Sequence, residues 1–442
     1  MTPTAMGDSP NAKLPVLAGL LRSIVRKGYL TVIDWRGRKR GFGAPSSDLR
    51  ATVRMSDRGL PWKIVAQPSL AFGEAYMDGR LTIESGTLRD LLEIVTSNMQ
   101  ALDQHPLQKL RRRLARLRPQ AVRTRNHRRR ARANVTHHYD LSGELYTLFL
   151  DADRQYSCAY FRTGKETLEE AQSAKKRHLA AKLLIRPGDE VLDIGCGWGG
   201  LALELAGTAN ARVTGITLST EQLGVARERA KEAGLQDRVS FVLQDYRELD
   251  EQFDRIVSAG MFEHVGPAHF DPFFTAVARM LKPDGVAVIH SIARRAHTGG
   301  SDPWIRKYIF PGSYIPAISE VMAAVERTGL WATDIEILRL HYADTLRHWF
   351  ERFQDSRQRA TEIYDERFCC MWEFYLVACE MAFRHGNLMV VQIQLAHERN
   401  AVPPTRDYIT DYERSSGRLD GRRDEGMSRF EPCPEDRSRK RA

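Results

Sequence analysis

The strongest chemical signal in the chain is a glycine-rich turn at residues 195–200, which follows the apolar stretch 191–194 and precedes a helical pattern. Glycine lets the backbone approach a nucleotide-like ligand closely. In a dinucleotide site, an acidic residue ends the second strand and holds the ribose hydroxyls, but the second strand here, 213–219, contains none. Asp193 before the turn suits a cationic sulfonium better than a pyrophosphate dianion. The turn therefore favours S-adenosylmethionine.

Two other positions near this turn have more than one interpretation. Ser219 and Gln222 follow the second strand with the spacing of a capping box, in which the Gln222 side chain bonds back to the helix start. Gln222 could also contact a ribose hydroxyl, and the two roles are compatible. Residues 244–247 end the third strand, where such folds place a group against adenine, although an ordinary loop is the alternative.

Two polar residues at the ends of the next two strands could handle a proton. Glu263 lies in the run 260–266 after the fourth strand, and His290 ends the fifth, both among apolar neighbours. A buried carboxyl group is costly unless it is paired or functional, and the carboxyl ends of strands form the active sites of open α/β sheets. The pattern favours an acid–base pair beside an apolar substrate, with a satisfied core Glu and His as the alternative.

The elements that position these residues alternate between strand and helix. Five strands are predicted, at 190–194, 212–217, 239–243, 255–258 and 285–290. This alternation predicts an α/β fold, a doubly wound, Rossmann-like and mostly parallel sheet, within residues 134–400. Residues 1–105 mix short β-like runs with turns and a helix at 87–99, which predicts a smaller α+β domain. Residues 411–442 lack apolar periodicity, which predicts a disordered tail.

Composition places the chain among cytosolic globular proteins. It has 442 residues, 42% of them hydrophobic and 28% charged, which suits two or three domains and excludes wholesale disorder. Its six cysteines have no CxxC spacing, which argues against a disulfide framework or a zinc site. No stretch approaches the roughly 20 apolar residues that cross a bilayer, and the pattern of a secretory signal is not seen.

Positive charge is concentrated in residues 106–133. Between Gln108 and Arg132 there are twelve Lys and Arg residues and no acidic residue, in a chain with a net charge of +10. Four leucines recur at helical spacing in the first half of this segment: Leu107, Leu110, Leu114 and Leu117. The pattern predicts a basic amphipathic linker suited to an anionic membrane surface, with a solvated linker as the alternative. Nucleic acid is less favoured because interleaved aromatic residues for base stacking are missing.

Several motifs together resemble the cyclopropane-fatty-acyl-phospholipid synthase family. They are His137-His138-Tyr139-Asp140, the segment 155–161, the turn at 193–200, the runs 253–258 and 261–266, and the segments 302–311 and 375–384. The stretch 73–79 is similar to the family's N-terminal, lipid-binding domain. The resemblance implies methyl transfer from S-adenosylmethionine to a cis double bond of a phospholipid acyl chain. The resulting carbocation loses a proton to bound bicarbonate and closes a cyclopropane ring.

The same resemblance implies two sets of site residues. Ten would contact the cofactor: Tyr156, Ser157, Gly195, Cys196, Gly197, Thr217, Leu218, Gln222, Tyr246 and Arg247. Six would form the catalytic site: Cys158, Glu263, His290, Ile292 through its backbone N–H, Tyr342 and Cys379. This reaction needs no thiolate nucleophile, so Cys379 is either functional or a small buried helix residue. Glu380 and Met381 replace the smaller residues of many family members, which points to a different substrate tunnel or product.

Aromatic and histidine side chains near these motifs could be functional or could have ordinary structural roles. The faces of Tyr156, Tyr160 and Phe262 could stabilise the sulfonium and the developing cation, or the rings could be ordinary core. The adjacent His137 and His138 do not indicate a metal, because no Cys or carboxylate cluster completes a site. No metal is therefore expected.

These features together predict a cytoplasmic enzyme, peripheral on the inner membrane face, that acts on an anionic phospholipid bilayer. No nucleic-acid partner is expected, and a homodimer is left open. One alternative is a related lipid methyltransferase that makes methyl-branched acyl chains. Others are a nucleic-acid or small-molecule methyltransferase that grips an anion with residues 123–132, and a non-catalytic lipid-binding protein with the same fold.

Overall fold

The computed structural model describes residues 14–99, 142–295 and 302–419, which form a four-stranded and a seven-stranded sheet with their helices. The basic linker predicted at 106–133 and the motif at 137–140 lie outside the described residues. Within the three described ranges, no helix combines the length and the apolar content that crossing a membrane requires.

The N-terminal unit is built on a mixed sheet. Its strands are β1 (Tyr29–Ile33), β2 (Lys39–Gly43), β3 (Arg50–Met55) and β4 (Leu81–Ser85), in the order β2-β1-β3-β4. Its helices are α1 (Leu14–Ile24), α2 (Leu60–Ala66), α3 (Pro68–Met77) and α4 (Leu88–Ser97). Alternate residues of β3, namely Ala51, Val53 and Met55, are buried, as the period of two in a half-buried strand requires. The lipid-binding role of this unit stays a prediction.

The second unit is built on a mostly parallel sheet. Its strands are β5 (Glu190–Ile194), β6 (Arg212–Thr217), β7 (Val239–Leu243), β8 (Phe253–Ala259), β9 (Leu281–Arg294), β10 (Trp331–Leu338) and β11 (Leu388–Ala396), in the order β10-β11-β9-β8-β5-β6-β7. Strands β5 to β9 are parallel, and β11 runs antiparallel between β9 and β10. The predicted α/β fold class is confirmed.

Helices cover both faces of this sheet, as a doubly wound fold requires. They are α5 (Gly143–Phe149), α6 (Leu168–Leu183), α7 (Gly200–Ala209), α8 (Thr220–Glu232), α9 (Phe270–Met280), α10 (Pro303–Tyr308), α11 (Ile318–Glu326), α12 (His341–Asp355), α13 (Arg357–Ile363), α14 (Glu366–Arg384) and α15 (Asp407–Leu419). Helix α6 starts at a capping box, in which Thr167 accepts from the Glu170 N–H and the Glu170 side chain accepts from the Thr167 N–H.

The strand order reverses between β5 and β8. From β5 the chain continues outward through β6 and β7, whereas β8 and β9 lie on the other side. Open α/β sheets bind ligands at such a point, outside the carboxyl ends of the strands. The glycine turn follows β5 and the Glu263 segment follows β8, so the sheet brings the two predicted motifs to one crevice.

Two strands of the sheet were not predicted. Strands β5, β6 and β7 have the predicted bounds, and β8 and β9 are longer than predicted, but β10 and β11 were missed. Strand β10 is an edge strand with half-exposed or exposed residues such as Trp331 and Ile335. Strand β11 buries Gln392 and Gln394 completely. Both strands contain a short alternating run, at 391–395 in β11 and at 334–337 in β10, but neither run was recognised as a strand from the sequence.

The prediction of a disordered tail from residue 411 is wrong for residues 411–419, which belong to α15. This helix packs against α6. Ile409 is buried, Glu413 Oε1 lies 2.8 Å from His178 Nδ1, and Gln394 Nε2 donates to the Tyr408 hydroxyl at 3.0 Å. These contacts to distant residues order the segment, and local periodicity does not reveal them. Residues 420–442 lie outside the described residues.

The N-terminal unit packs directly against the helix that carries Cys379. Helices α3 and α4 both contact α14, and a Cβ on Gly73 would lie 2.5 Å from Trp304 Nε1. The Tyr76 hydroxyl donates to Glu373 on α14 at 2.9 Å. The motif at 73–79 thus forms part of the contact between the two units, and Gly73 is required there because no side chain fits.

Candidate active site

The glycine turn forms the floor of the crevice. Gly195, Gly197 and Gly199 have positive φ values of 83°, 53° and 84°, a region that residues with a Cβ rarely adopt. A Cβ on Gly195 would also lie 2.8 Å from the Cβ of Met261. The backbone N–H groups of Gly195 and Cys196 donate to the Ile216 carbonyl. Glycine is therefore required for both conformation and space.

A cavity of about 1390 Å³ of empty volume, its open mouth included, lies above this turn. All ten predicted cofactor residues line it: Tyr156, Ser157, Gly195, Cys196, Gly197, Thr217, Leu218, Gln222, Tyr246 and Arg247. The structure thus brings the whole set together, and their contacts with a cofactor stay a prediction. The wall includes further residues that sequence reasoning did not assign, among them Arg154, His269 and Gly312. Arg154 has a φ of +55°, which no sequence pattern reveals.

The structure separates the two interpretations of Gln222. Its backbone N–H donates to Ser219 Oγ at 3.3 Å, so Ser219 caps α8. The Gln222 side chain does not complete a capping box. Its Oε1 instead accepts from Thr217 Oγ1 at 3.2 Å, and the Ser219 N–H is satisfied by the same hydroxyl. Gln222 is thereby held at the cavity wall, where it can offer its amide group to a ligand.

The wall formed by residues 244–247 is internally paired. Arg247 donates from Nε to Asp245 Oδ1 at 2.8 Å and from Nη2 to Oδ2 at 2.5 Å. The Tyr246 ring packs edge-on against Phe273 with centroids 5.2 Å apart. This wall therefore offers a flat aromatic and guanidinium surface, and the charge of Arg247 is already matched by Asp245.

Asp193 is a buried carboxyl group of the cavity wall, as is Asp245. Only 2% of Asp193 is exposed, and within the described residues its Oδ2 has no hydrogen-bond partner. Burial raises the pKa of Asp193 to about 7, while the charge of Lys175 opposes that rise. An unpartnered carboxylate at the end of β5 attracts a cationic ligand. The cavity, the glycine turn and this carboxylate together fit an adenosyl sulfonium.

Glu263 is held in the short 3-10 turn Phe262–His264 after β8. The backbone N–H of Ile292 donates to Glu263 Oε1 at 2.5 Å, and Oε2 has no hydrogen-bond partner among the described residues. Burial raises the pKa of Glu263, and the Ile292 N–H opposes the rise. The Ile292 N–H was expected to bind an anion directly, but it donates to Glu263 instead.

His290 lies on β9, on the same face as Ile292 two residues later. It is 2% exposed, and Gln392 Nε2 lies 3.1 Å from its Nδ1. Burial lowers the pKa of His290 to about 3, with the charges of Lys175 and Lys182 acting in the same direction. The imidazole is therefore neutral, and its two ring nitrogens can donate one hydrogen bond and accept another.

The other predicted catalytic residues meet at one apolar cluster. Cys158 belongs to it, and Ile292, Tyr342 and Cys379 pack against it, with the aromatic rings of Trp349, Trp372 and Tyr375. Burial raises the pKa of the Cys158 thiol, and it raises the pKa of Cys379 to about 12. Both thiols are thus protonated at neutral pH, which disfavours Cys379 as a thiolate nucleophile.

The cofactor cavity and the apolar cluster adjoin each other. None of the six predicted catalytic residues lines the cavity, but Cys158 follows Ser157 and Glu263 follows Met261 by two positions. The hydroxyl groups of Tyr156, in the cavity wall, and Tyr375, in the cluster, are 2.8 Å apart. An apolar substrate seated at the cluster would lie next to the cofactor.

The structure assigns the three aromatic candidates differently. The Tyr156 ring lines the cavity and stacks on Trp349 at 5.2 Å. Tyr160 is stacked between His178 and His341. Phe262 is 1% exposed and packs against other phenylalanines. Phe262 is therefore a core residue, and Tyr156 alone of these three lines the cavity.

A doubly wound sheet with this strand order, a glycine turn after β5 and a buried carboxylate beside it defines the class of S-adenosylmethionine-dependent methyltransferases. Residues 126–393 match the family model described as mycolic acid cyclopropane synthetase, and residues 18–105 match a domain of unknown function. The chain belongs to the cyclopropane synthase family, as the motifs predicted.

Individual relatives support this assignment. The chain is 39% identical to the cyclopropane-fatty-acyl-phospholipid synthase of Escherichia coli strain K12 over 351 residues, 78% of this chain and 87% of that protein. It is 35% identical to a probable fatty acid methyltransferase of Pseudomonas putida, over 81% of this chain and 89% of that protein. The mycolic acid cyclopropane synthase CmaA1 complexed with SAH and CTAB is 34% identical and superimposes with a TM-score of 0.57, covering 60% of this chain and 97% of that one.

Proposed function

We propose that this protein transfers the methyl group of S-adenosylmethionine to the cis double bond of an unsaturated phospholipid acyl chain and forms a cyclopropane ring. The observation that carries the proposal is that two buried residues, Glu263 and His290, adjoin both places. The His290 carbonyl accepts from the N–H of Gly260 in the cavity wall, and Glu263 Oε1 accepts from the N–H of Ile292, whose side chain packs against the apolar cluster. An apolar cluster suits a hydrocarbon substrate, and a buried acid–base pair suits the loss of one proton. The relatives named cyclopropane synthases support the same chemistry.

The proposed reaction balances in atoms and electrons. The double bond attacks the methyl carbon, the carbon–sulfur bond breaks, and S-adenosylhomocysteine leaves with the bonding electrons. The acyl chain then carries a cation. The Tyr156 and Tyr375 rings can stabilise this cation in a site from which water is excluded. One proton leaves the added methyl group, and the freed electron pair closes the ring. The protein must position the chain, exclude water and accept that proton.

The base implied by the family resemblance is bicarbonate, and the residue types present fit it. Glu263 Oε2 is buried without a hydrogen-bond partner within the described residues. Because burial favours the neutral acid, Oε2 can carry a proton and donate it to an anion. Cys158, His290 and Tyr342 would be the other donors, because the Ile292 N–H already donates to Glu263 Oε1. Bicarbonate bound there would supply the base for the departing proton, and Glu263 with His290 would pass that proton on.

The membrane is the proposed site of action, on the cytoplasmic side and on anionic lipid. Trp62 on α2 is 42% exposed and is followed by Lys63, a pairing suited to a membrane interface. The basic run at 108–132 adds charge that attracts anionic headgroups. Because the N-terminal unit contacts α14, a docked unit would hold the bilayer close to the apolar cluster. A homodimer stays a prediction.

The product assay tests the chemistry. Incubation of the full chain with S-adenosylmethionine and vesicles of cis-monounsaturated phospholipid should add one methylene per modified acyl chain, detected by mass spectrometry. Proton NMR of the product should show the upfield ring protons of a cyclopropane. A branched chain with no ring signal would instead support the second candidate, a lipid methyltransferase that makes methyl-branched chains, which the similarity to a fatty acid methyltransferase favours. Labelled methyl in RNA and none in lipid would contradict both.

The membrane step has its own prediction. Replacing Arg111, Arg112, Arg113 and Arg116 with Gln should weaken binding to anionic vesicles by up to about 1,000-fold, because each basic residue near the surface contributes roughly 1 kcal/mol and four are removed. Binding of the unaltered chain should also fall with added salt. Cosedimentation with vesicles measures both effects. The variant should keep its affinity for S-adenosylhomocysteine, and unchanged cosedimentation would make the basic run a plain linker.

A further inference from the structure

A buried lysine behind the cofactor cavity is not accounted for by the reaction. Lys175 on α6 has no exposed surface, and burying a charged lysine without a purpose is costly. Its Nζ donates to Gln155 Oε1 at 2.5 Å and to Ser157 Oγ at 3.0 Å. Gln155 and Ser157 both line the cavity. Lys175 therefore acts on the cavity wall from behind without lining it.

The segment that Lys175 contacts is fastened to α6 at further points. One turn earlier on the same helix, Gln172 Nε2 donates to the Ser157 carbonyl at 3.0 Å. The Tyr160 N–H donates to the Ala171 carbonyl at 3.0 Å. Gln172 and Ala171 thus fix the backbone of the segment, whereas Lys175 is the group that fixes its side chains. Replacing Lys175 should therefore disturb the side chains of the segment and leave its backbone contacts with α6 in place.

The charge of Lys175 also acts on Asp193. Burial raises the pKa of Asp193, and Lys175 is the charge that opposes the rise. Burial likewise lowers the pKa of Lys175 to about 8. The titratable groups that act on Lys175 or are acted on by it come from several elements: Asp151, Asp153, Cys158, Lys176, Asp193 and His290. Asp153 is already paired with Lys176 and Arg229, whereas the charge of Lys175 opposes the rise in the pKa of both Asp151 and Asp193. Of these two carboxyl groups, only Asp193 lines the cavity.

We propose that Lys175 is a positioning residue of the cofactor site, whose ammonium group orients Gln155 and Ser157 at the cavity wall and offsets the negative charge of Asp193 at its floor. The proposal rests on the proposed use of S-adenosylmethionine. The sulfonium cation then meets an ionised carboxylate, and the site as a whole stays close to neutral before the ligand enters.

The sign of the pH dependence follows from the two groups. Binding of S-adenosylmethionine should strengthen as Asp193 ionises near its pKa of about 7. It should weaken as Lys175 loses its proton near its pKa of about 8, because Gln155 and Ser157 then lose the charged donor that orients them. In a plot of affinity against pH, these two effects give a rising limb and a falling limb. Without the lysine charge, the pKa of Asp193 rises further, so the rising limb moves to higher pH and the falling limb disappears. With arginine at 175 the charge persists at all working pH values, so only the falling limb disappears.

Calorimetric titration of S-adenosylmethionine across pH 6 to 9 tests the proposal with three variants of the full chain. Lys175→Met should weaken binding roughly tenfold at neutral pH and shift the rising limb. Lys175→Arg should restore the rising limb and lose the falling one. Lys182→Met is the matched control, since Lys182 is equally buried on the same helix but pairs with Asp334 and Glu336. It should lower thermal stability and leave the pH profile of binding unchanged.

Several outcomes would overturn the proposal. One is native affinity with a native pH profile in Lys175→Met, and another is an equal shift in Lys182→Met. If Lys175→Met does not fold, Lys175→Arg decides, because a retained falling limb would mean that another group titrates. If the unaltered chain binds neither S-adenosylmethionine nor S-adenosylhomocysteine, the proposed function fails, and that result is distinct from all of these.

Discussion

Glu263→Gln should lower kcat for lipid methylation by roughly two to four orders of magnitude, the usual contribution of a positioned acid–base group. The glutamine side chain can still accept the Ile292 N–H through its oxygen, so the 2.5 Å contact at Oε1 has a replacement. Glutamine has an amide nitrogen in place of Oε2, so it cannot gain or lose a proton at that position. The affinity for S-adenosylhomocysteine should stay unchanged, because Glu263 does not line the cofactor cavity.

The stability of Glu263→Gln provides the control for misfolding. Because the folded-state pKa of Glu263 is raised, its neutral form favours the fold, and stability is lost as pH rises through that pKa. Glutamine is neutral at every pH, so the variant should melt at or above the temperature of the unaltered chain at pH 7. Glu380→Gln offers a contrast. Glu380 is also buried with an unpartnered Oε2 within the described residues, but its Oε1 pairs with Arg89 and Arg384, so this variant should lower the melting temperature. A kcat for Glu263→Gln within threefold of the native value would remove Glu263 from the reaction.

Sequence reasoning predicted the parts of the site that local patterns encode. Apolar strands and glycine turns have strong local signals, so β5, β6 and β7 have the predicted bounds. Parallel strands place their carboxyl ends along one edge, so the glycine turn and the segments after the next strands could be placed at one crevice. The full set of ten cofactor residues came from the motif resemblance, and all ten line one cavity. Glu263 and His290 were predicted from their positions at strand ends as well as from the resemblance. The other four catalytic assignments came from the resemblance alone, and the structure brings Cys158, Ile292, Tyr342 and Cys379 together at one apolar cluster.

Contacts between distant residues could not be predicted in the same way. No sequence pattern indicates that the Ile292 N–H donates to Glu263 or that the Thr217 hydroxyl donates to the Gln222 side chain. The same holds for the packing of α15 against α6. The buried glutamines of β11 likewise make sense only beside their partners, His290 and the Lys182 carbonyl. Tertiary contacts decide these details, because a polar side chain is tolerated in a core only where a specific partner meets it.

Gly195→Ala should abolish measurable binding of S-adenosylhomocysteine, with a Kd raised at least about 100-fold. Alanine at a φ of +83° costs roughly 1–2 kcal/mol, and the added Cβ would lie 2.8 Å from the Met261 Cβ and Cγ atoms. Relief of that contact must move the turn or Met261, and both line the cavity. The backbone that receives the ligand is therefore displaced together with its wall.

Gly164→Ala separates the effect of the clash from the effect of the backbone conformation. Gly164 has a similar φ of +79° and lies exposed in the turn before α6, where an added Cβ would meet no atom within 4 Å. Gly164→Ala should lose about 1–2 kcal/mol of unfolding free energy, measured by chemical denaturation, and Gly195→Ala should lose more because of its added contact with Met261. Only Gly195→Ala should lose the ligand in calorimetry. Native affinity in Gly195→Ala would mean that the turn is not the cofactor floor. A lipid cannot be methylated without a bound methyl donor. The activity of Gly195→Ala must therefore fall in parallel with its affinity for the cofactor.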